Sequence, residues 1–420
     1  MTDDRLLDID EIVTGGLCIG CGLCASIAGA EHIRMVTTPE GRERPVAVAP
    51  LARETLATIN AVCPGTRIEG AAPETLAGDA ETDLVWGPAA PSTLAIAHAG
   101  DAGVRHRGAA GGVLTALGQY LLRSGAVELV LHARASPEAP MRTVATVSET
   151  PDAVLEAATS RYGPAAVLAD VDRVLARGRP LAVIAKPCDI GALRRAAEID
   201  ERARKLIRYC LTFACGGASD LGKSAELLDR FGVDESELRL FRYRGHGNPG
   251  PTRVETKDGR AFETTYRDMW ADESGWRIQP RCKICPDAIG EAADVVVTDC
   301  WPGGTPEGED TGFNAVFART RAGVRLLEGA VADGALTIVR AIGFRDLDDF
   351  QPHQVYKKRA VWARFEGMRA AGMATPEVAR LRIAELAAGN DKRVNEREML
   401  GAQERARAGR LGEPPAVARE

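Results

Sequence analysis

The chain carries no excess of basic charge: 53 Lys and Arg stand against 59 Asp and Glu, for a formal net charge of -6 and a pI near 5.7. Phosphate-backbone binding needs a concentrated positive surface, so nucleic acid is excluded as a partner class. There is no run of roughly eighteen or more apolar residues, which removes a membrane-spanning helix. The N-terminus, Met-Thr-Asp-Asp-Arg, has no basic region leading into an apolar one. No secretory leader is therefore expected, and the protein is expected to be cytoplasmic. Internal repeats and heptad arrays are also missing. So are the Gly-Lys-Ser/Thr ending of a Walker loop and the glycine spacing of a dinucleotide fingerprint.

What is present begins with ten cysteines in 420 residues of which 45% are hydrophobic and 27% charged. That length implies two or three domains. In a reducing compartment structural disulfides are not expected, so the thiols point to metal, cluster or redox chemistry. Cys18-Ile-Gly-Cys21-Gly-Leu-Cys24, answered by Cys63-Pro64, matches the ligand pattern of a ferredoxin-type 4Fe-4S cluster. Thiolates that curl round a compact cube need tight turns between them, and Gly20 and Gly22 let the backbone bend. A closed zinc site is the rival, although zinc ligands usually come as two separated Cys-x2-Cys pairs. Packing alone would not impose this spacing.

Along the chain, His32 to Thr37 alternates, Gly41 marks a turn, Pro45 to Ala49 reads as a second short strand, and Leu51 to Val62 has helical spacing. A hairpin followed by a helix would return Cys63 to the other three ligands. Residues 68–92 read as a linker or wrapping segment. Strand patterns at 94–98, 125–132, 180–185 and 294–298 alternate with helical ones at 116–123, 154–159 and 167–177. This is the signature of an α/β core with a largely parallel or mixed sheet. Residues 206–213 add a strand ending in glycines, and 238–243 with 252–265 suggest β structure turning at Asp258-Gly259. Residues 365–420, rich in Ala, Arg and Glu, suit peripheral helices with a frayed end.

Four further cysteines are dispersed: Cys188 and Cys215 after strands, and Cys282 with Cys285 in Arg-Cys-Lys-Ile-Cys-Pro. Strand ends of an α/β sheet converge on one edge, so these thiols could meet in a second cluster. The alternative is a redox dithiol at Cys282 and Cys285 beside two ordinary buried cysteines. Burial suffices to explain Cys210 and Cys300. Gly108-Ala-Ala-Gly111-Gly112 precedes a helix containing Thr115, with Arg105 and Arg107 close by. This turn could bring helix amides to a phosphate, or it could be a plain tight turn. His106 lies beside it. His353 could face a site, and Trp301 could lie near a planar cofactor, although packing explains either.

Several of these stretches together resemble the coenzyme F420 hydrogenase/dehydrogenase beta-subunit family of iron-sulfur flavoproteins. They are Gly108 to Leu117, Ser160-Arg-Tyr162, Lys186-Pro-Cys-Asp-Ile-Gly-Ala-Leu-Arg194, Cys215-Gly-Gly, Arg281-Cys-Lys-Ile-Cys285, Asp299-Cys-Trp301 and Phe313 to Thr320. The likeness covers roughly residues 12–330, and Arg161 stands where Lys is frequent. It implies FAD in the α/β core, with contacts at Arg107, Gly108, Gly111, Gly112, Thr115, Ser160, Arg161, Tyr162 and Lys186. It implies a second cluster on Cys188, Cys215, Cys282 and Cys285, and it leaves His106, Tyr162 and Lys186 as candidates for a proton donor.

The expected organisation is a ferredoxin-like module at 1–67, a linker at 68–92, an FAD-binding core at 93–364 and a helical extension at 365–420. The expected function is an oxidoreductase passing electrons between a carrier, ferredoxin or F420, and an organic substrate. A flavin suits that task because it links one-electron clusters to two-electron chemistry. The N-terminal cluster would be the port for electrons. The alternatives are a non-catalytic relay subunit of a larger hydrogenase or dehydrogenase, and a zinc-stabilised binding module.

Overall fold

The computed structural model describes residues 5–270 and 277–417. At its centre is an eight-stranded mixed sheet, in the order Leu336–Ala341, Ala95–Ala99, Asn314–Ala318, Val295–Asp299, Ile207–Phe213, Leu181–Ile184, Leu129–Ala135 and Thr143–Ser148. The four neighbouring strands from Val295–Asp299 to Leu129–Ala135 run parallel. They are short apolar runs, as expected of strands covered on both faces. The flanking pairs are antiparallel.

Alternate residues of the central strands serve the two faces, following the two-residue period of a strand. Val295 and Val297 pack with Leu117 and Leu121 of helix Val113–Arg123, while Val296 packs with Ile190 and Leu193 of helix Pro187–Ile199. The edge strands Thr143–Ser148 and Leu336–Ala341 were not expected. Both expose most of their residues at least partly, so neither shows the apolar run of a covered strand.

The N-terminal segment folds as helix Ile9–Thr14, helix Leu23–Ala28, the antiparallel hairpin of Ile33–Thr37 with Glu43–Ala47, and helix Arg53–Val62. The expected hairpin and returning helix are both there. Residues 68–92 wrap the core: Trp86 is fully buried, edge-on to Phe317 at 6.2 Å, and its Nε1 donates to Asp348 at 2.8 Å. A small antiparallel sheet of Leu238–Arg242, Thr252–Thr256 and Ala261–Thr264 turns at Gly259, whose φ is +93°.

Two segments differ from their sequence patterns for tertiary reasons. The helical spacing over 167–177 yields only Val171–Leu175, because the preceding residues are drawn to the cysteine loop: Leu168 N–H donates to Cys21 O at 2.9 Å. The C-terminal helices Pro352–Ala370 and Lys392–Arg407 form as expected, but they are not peripheral. Val361, Phe365 and Met368 share an apolar cluster with Ile12, Val13, Leu17 and Cys18, and Leu411 closes it. The expected boundary at residue 364 falls inside the first of these helices.

Candidate functional site

Cys18, Cys21, Cys24 and Cys63 line one small pocket whose remaining wall is largely apolar, with Ile9, Ile12, Ile59 and Val62 among its residues. The loop geometry follows from its glycines. Gly20 and Gly22 have φ of +71° and +87°, and a Cβ would strike Glu43 O at 2.2 Å or Ala169 at 2.8 Å. Only glycine meets both demands. Cys63 ends helix Arg53–Val62 and turns inward from it. Backbone amides point at the sulfurs, Gly20 N–H at Cys18 Sγ and Gly65 N–H at Cys63 Sγ, each at 3.3 Å.

The dispersed cysteines also come together. Cys188 sits in the first turn of helix Pro187–Ile199, directly after strand Leu181–Ile184, and Cys215 follows strand Ile207–Phe213. Cys215 N–H donates to Ala288 O at 2.7 Å, and Ala218 N–H points at Cys282 Sγ at 3.3 Å, which ties the loop after one strand to the Cys282–Cys285 turn. Burial, Asp189, Cys215 and Cys285 all push Cys188 well above the usual thiol range. Burial, then Cys282 and Cys285, push Cys215 to about 12.

Burial likewise lifts Cys18 to about 11 and Cys24 well above its usual value. Thiols so placed keep their protons at neutral pH unless a cationic group replaces them. Arg195 is 4% exposed and has Nε and Nη1 without a hydrogen-bond partner, while Nη2 donates to Val62 O at 2.8 Å. Burial lowers it to about 10, and Cys63 and Cys21 act in the opposite direction. An orphaned cation facing thiols fits a resident group of negative charge. Thiol donors, inward amides and buried cations thus suit an iron-sulfur cluster in both tetrads.

The second tetrad opens into a cleft of about 1530 Å³, with Cys215 and Cys282 in its wall. That exceeds the space one drug-sized ligand needs. The cleft runs past Lys186 to Gly112, Thr115, Ser160, Arg161 and Tyr162, and His353 and Trp301 also line it. Of the expected cofactor contacts, Arg107 is exposed outside its wall, and Gly108 and Gly111 are buried behind it. Asn314 Oδ1 takes the amides of Gly111 at 2.9 Å and Val113 at 3.4 Å, so those two N–H groups are not presented to a phosphate. Arg161 is committed to Thr143 Oγ1 and to the carbonyls of Pro140, Met141, Arg142 and Phe241. Its guanidinium shapes the wall.

Among the proton-donor candidates, His106 is exposed, edge-on to His246 at 5.5 Å, and outside the cleft wall. Lys186 Nζ donates to Asp189 at 2.7 Å and Ala165 O at 3.1 Å. Burial works against its charge, but Asp189 outweighs burial and holds the ammonium above its usual range. Tyr162 lies in the wall, 4.5 Å from the Trp270 ring.

Sequence reasoning missed Arg244. It is 2% exposed, pairs with Asp299 at 2.9 Å, lies 4.8 Å over Trp301 and 5.3 Å over Tyr266, and keeps an unpartnered Nε. No spacing marks it. Only its partners Asp299 and Trp301 stood in a noticed stretch.

The fold and its two thiol sets define a class: a mixed-sheet α/β protein with two cysteine tetrads, one of them at the edge of a large cleft. Residues 94–171 match the N-terminal family model of the coenzyme F420 hydrogenase/dehydrogenase beta subunit, and residues 178–342 match the C-terminal one. Together these cover more than half of the chain, which belongs to the coenzyme F420 hydrogenase/dehydrogenase beta-subunit family. It is 26% identical over 240 residues to the F420-dependent formate dehydrogenase 1 subunit beta of Methanococcus maripaludis, across 56% of this chain and 58% of that one. The equivalent protein of Methanocaldococcus jannaschii, an F420-dependent formate dehydrogenase subunit beta, is 24% identical, across 57% of this chain and 59% of its own. The matches thus span under two thirds of either relative. A chain in the F420-reducing NiFe hydrogenase complex of Methanosarcina barkeri shares the fold, with a TM-score of 0.52 at 19% identity, covering 68% of this chain and 95% of that one. Among the described residues, no helix is long and apolar enough to cross a membrane.

Proposed function

We propose that the chain is an iron-sulfur flavoprotein of an F420-linked oxidoreductase, with a 4Fe-4S cluster on each cysteine tetrad and FAD in the cleft. The observation that carries this reading is the position of Cys215 and Cys282 in the wall of the cleft that reaches Thr115 and Ser160. A flavin bound there would supply the link between one-electron transfer with a cluster and two-electron chemistry with an organic partner. The residues of this chain do the rest. The glycine loops shape the thiol pockets and the inward amides soften charge on sulfur. Arg161, spent on carbonyls, holds the Tyr162 segment in place. Arg244, with an unpartnered Nε beside two aromatic rings, is the donor best placed for an anionic or carbonyl group of a ligand.

Zinc is disfavoured by spacing. Zinc ligands usually come as two separated Cys-x2-Cys pairs, whereas three of the N-terminal thiols sit at intervals of three and share one pocket with Cys63. Anaerobic purification with iron, sulfide, zinc and flavin assays tests the reading. Roughly eight irons and one FAD per chain are expected, at four irons per cluster. About four irons would leave the dispersed tetrad without a cluster, and zinc without iron would sink the proposal.

A second reading is favoured by the relatives, which are subunits: the chain relays electrons within a larger complex and turns over no substrate alone. Steady F420 reduction by the isolated chain with reduced ferredoxin would eliminate the relay. Ferredoxin as carrier belongs to the first reading only.

A further inference from the structure

We propose that Arg44, Arg281 and Lys186 form a buried cationic collar between the two tetrads that stabilises their reduced states, and that Glu413 in the C-terminal tail is the positioning residue that moderates it. The proposal rests on the two-cluster reading above. Arg44 and Arg281 each hydrogen-bond to segments beside both thiol sets.

Arg44 is fully buried. Its Nη1 donates to Glu43 O at 2.7 Å, the oxygen that Gly20 abuts between Cys18 and Cys21. Its Nη2 donates to Gln279 Oε1 at 2.9 Å, and Gln279 O accepts Cys282 N–H at 2.9 Å. One guanidinium therefore holds both cysteine loops, and Cys18 and Cys282 both act on its charge. Arg281, 2% exposed, donates to Pro64 O at 3.0 and 2.8 Å and to Ile284 O at 3.4 Å, the neighbours of Cys63 and Cys285. Lys186 precedes the Pro187-Cys188 turn, and its Nζ donates to Ala165 O at 3.1 Å, three residues before Leu168, whose N–H donates to Cys21 O at 2.9 Å.

Reduction adds one negative charge to a buried site, and a fixed cation nearby favours it with little screening. The three cations are not equivalent. Lys186 is neutralised by Asp189 at 2.7 Å, whereas the hydrogen bonds of Arg281 run to carbonyls. Arg44 is intermediate, because Glu413 grips it at 2.8 and 2.7 Å. That carboxylate comes from 369 positions away, anchored by Glu413 N–H to Thr14 O at 3.0 Å, and it also faces Arg42 at 3.3 Å. The tail thus places a negative charge behind a cation that serves both tetrads.

The test is an anaerobic redox titration of the full-length holoprotein, followed by electron paramagnetic resonance, with iron and sulfide assayed on the same samples. E413Q should raise the reduced-to-oxidised ratio at fixed poise about tenfold, an upward shift of about 59 mV for a one-electron couple. R44Q should lower it by a similar factor, and R44K should restore the wild-type ratio. Opposite shifts at unchanged iron content support the collar, because a merely structural role would move E413Q and R44Q the same way. Shifts of one sign, or none, in iron-replete variants overturn it. If R44Q does not load iron, E413Q and R44K decide the matter alone. A wild-type chain holding about four irons defeats the two-cluster reading first and the collar with it.

Discussion

The two cysteine tetrads use one side chain in opposite ways. The N-terminal set is local: three thiols within seven residues and a fourth at the end of the next long helix, closed by glycines at positive φ. The dispersed set spans Cys188 to Cys285 and exists only because parallel strands deliver their ends to one edge of the sheet. The first is enclosed by apolar side chains, while the second lies open to the cleft. On the two-cluster reading proposed above, the first set would exchange electrons through the surrounding protein, and the second, with Cys215 and Cys282 in the cleft wall, would stand beside a ligand.

The largest way to break this comparison is to remove one ligand from each set. Cys21→Ser and Cys282→Ser should each cut iron from roughly eight to roughly four per chain, with sulfide falling in step. Cys21→Ser should keep the flavin and the spectroscopic signal of the other cluster. If both variants lose all iron, the tetrads are one cooperative unit and the contrast fails.

The next effect falls on what joins the two regions. Lys358 of the C-terminal helix is buried against Glu291 and Val85 O, and Glu291 also meets Arg382. Lys358→Met leaves a buried carboxylate short of one partner, so a loss of about 3 to 5 kcal/mol is expected by anaerobic denaturant unfolding. A loss below about 1 kcal/mol would show that the helix does not brace the core.

A pH effect is expected on the cleft side. His132 on strand Leu129–Ala135 is held at about 4 by burial, with Arg134 nearby adding to it, and its Nε2 meets Ser148 Oγ at 2.8 Å. Since the folded value lies below the unfolded one near 6.5, the unfolded chain binds the extra proton in that window. Stability is then complete above about pH 6.5 and falls as pH drops toward about 4, by up to ~3 kcal/mol. His132→Gln should flatten that slope, and an unchanged slope would assign it elsewhere. The smallest effect is at the surface. Arg202 is half exposed and bridges Asp172 and Asp200 at 2.8 Å each, yet Arg202→Ala should cost less than ~1 kcal/mol in the same unfolding assay.

The ease of reading these regions follows sequence distance. The hairpin and helix between Cys24 and Cys63 were legible because alternation, a glycine turn and helical spacing are local signals. Half of the dispersed tetrad was legible as Cys-x2-Cys, and Cys188 and Cys215 were placed by their positions after strands. The glycine turn was located, but not the role of Asn314, whose side chain takes the amides that the turn was expected to offer. Arg161 was expected as a ligand contact and lines the cleft, but nothing local signalled its bonds to four carbonyls, one of them Phe241 some eighty residues away. The tail read as frayed because Ala, Arg and Glu suit solvated helices. Nothing in that composition tells that Leu411 and Glu413 are buried against the first helix and Arg44.

Cysteine spacing, glycine placement and the alternation of apolar strands with helices were enough for the N-terminal thiol set and the α/β class, while the family resemblance rested on matching motif stretches such as Lys186 to Arg194. These are properties of neighbouring residues, set by backbone sterics and burial period. The antiparallel edges, the joining of the dispersed thiols, the Arg244 corner of the cleft and the cations between the tetrads were decided only by tertiary packing. Each is a contact between segments tens to hundreds of residues apart. Its energy comes from desolvated charges and shared walls, and neither exists until the chain is folded.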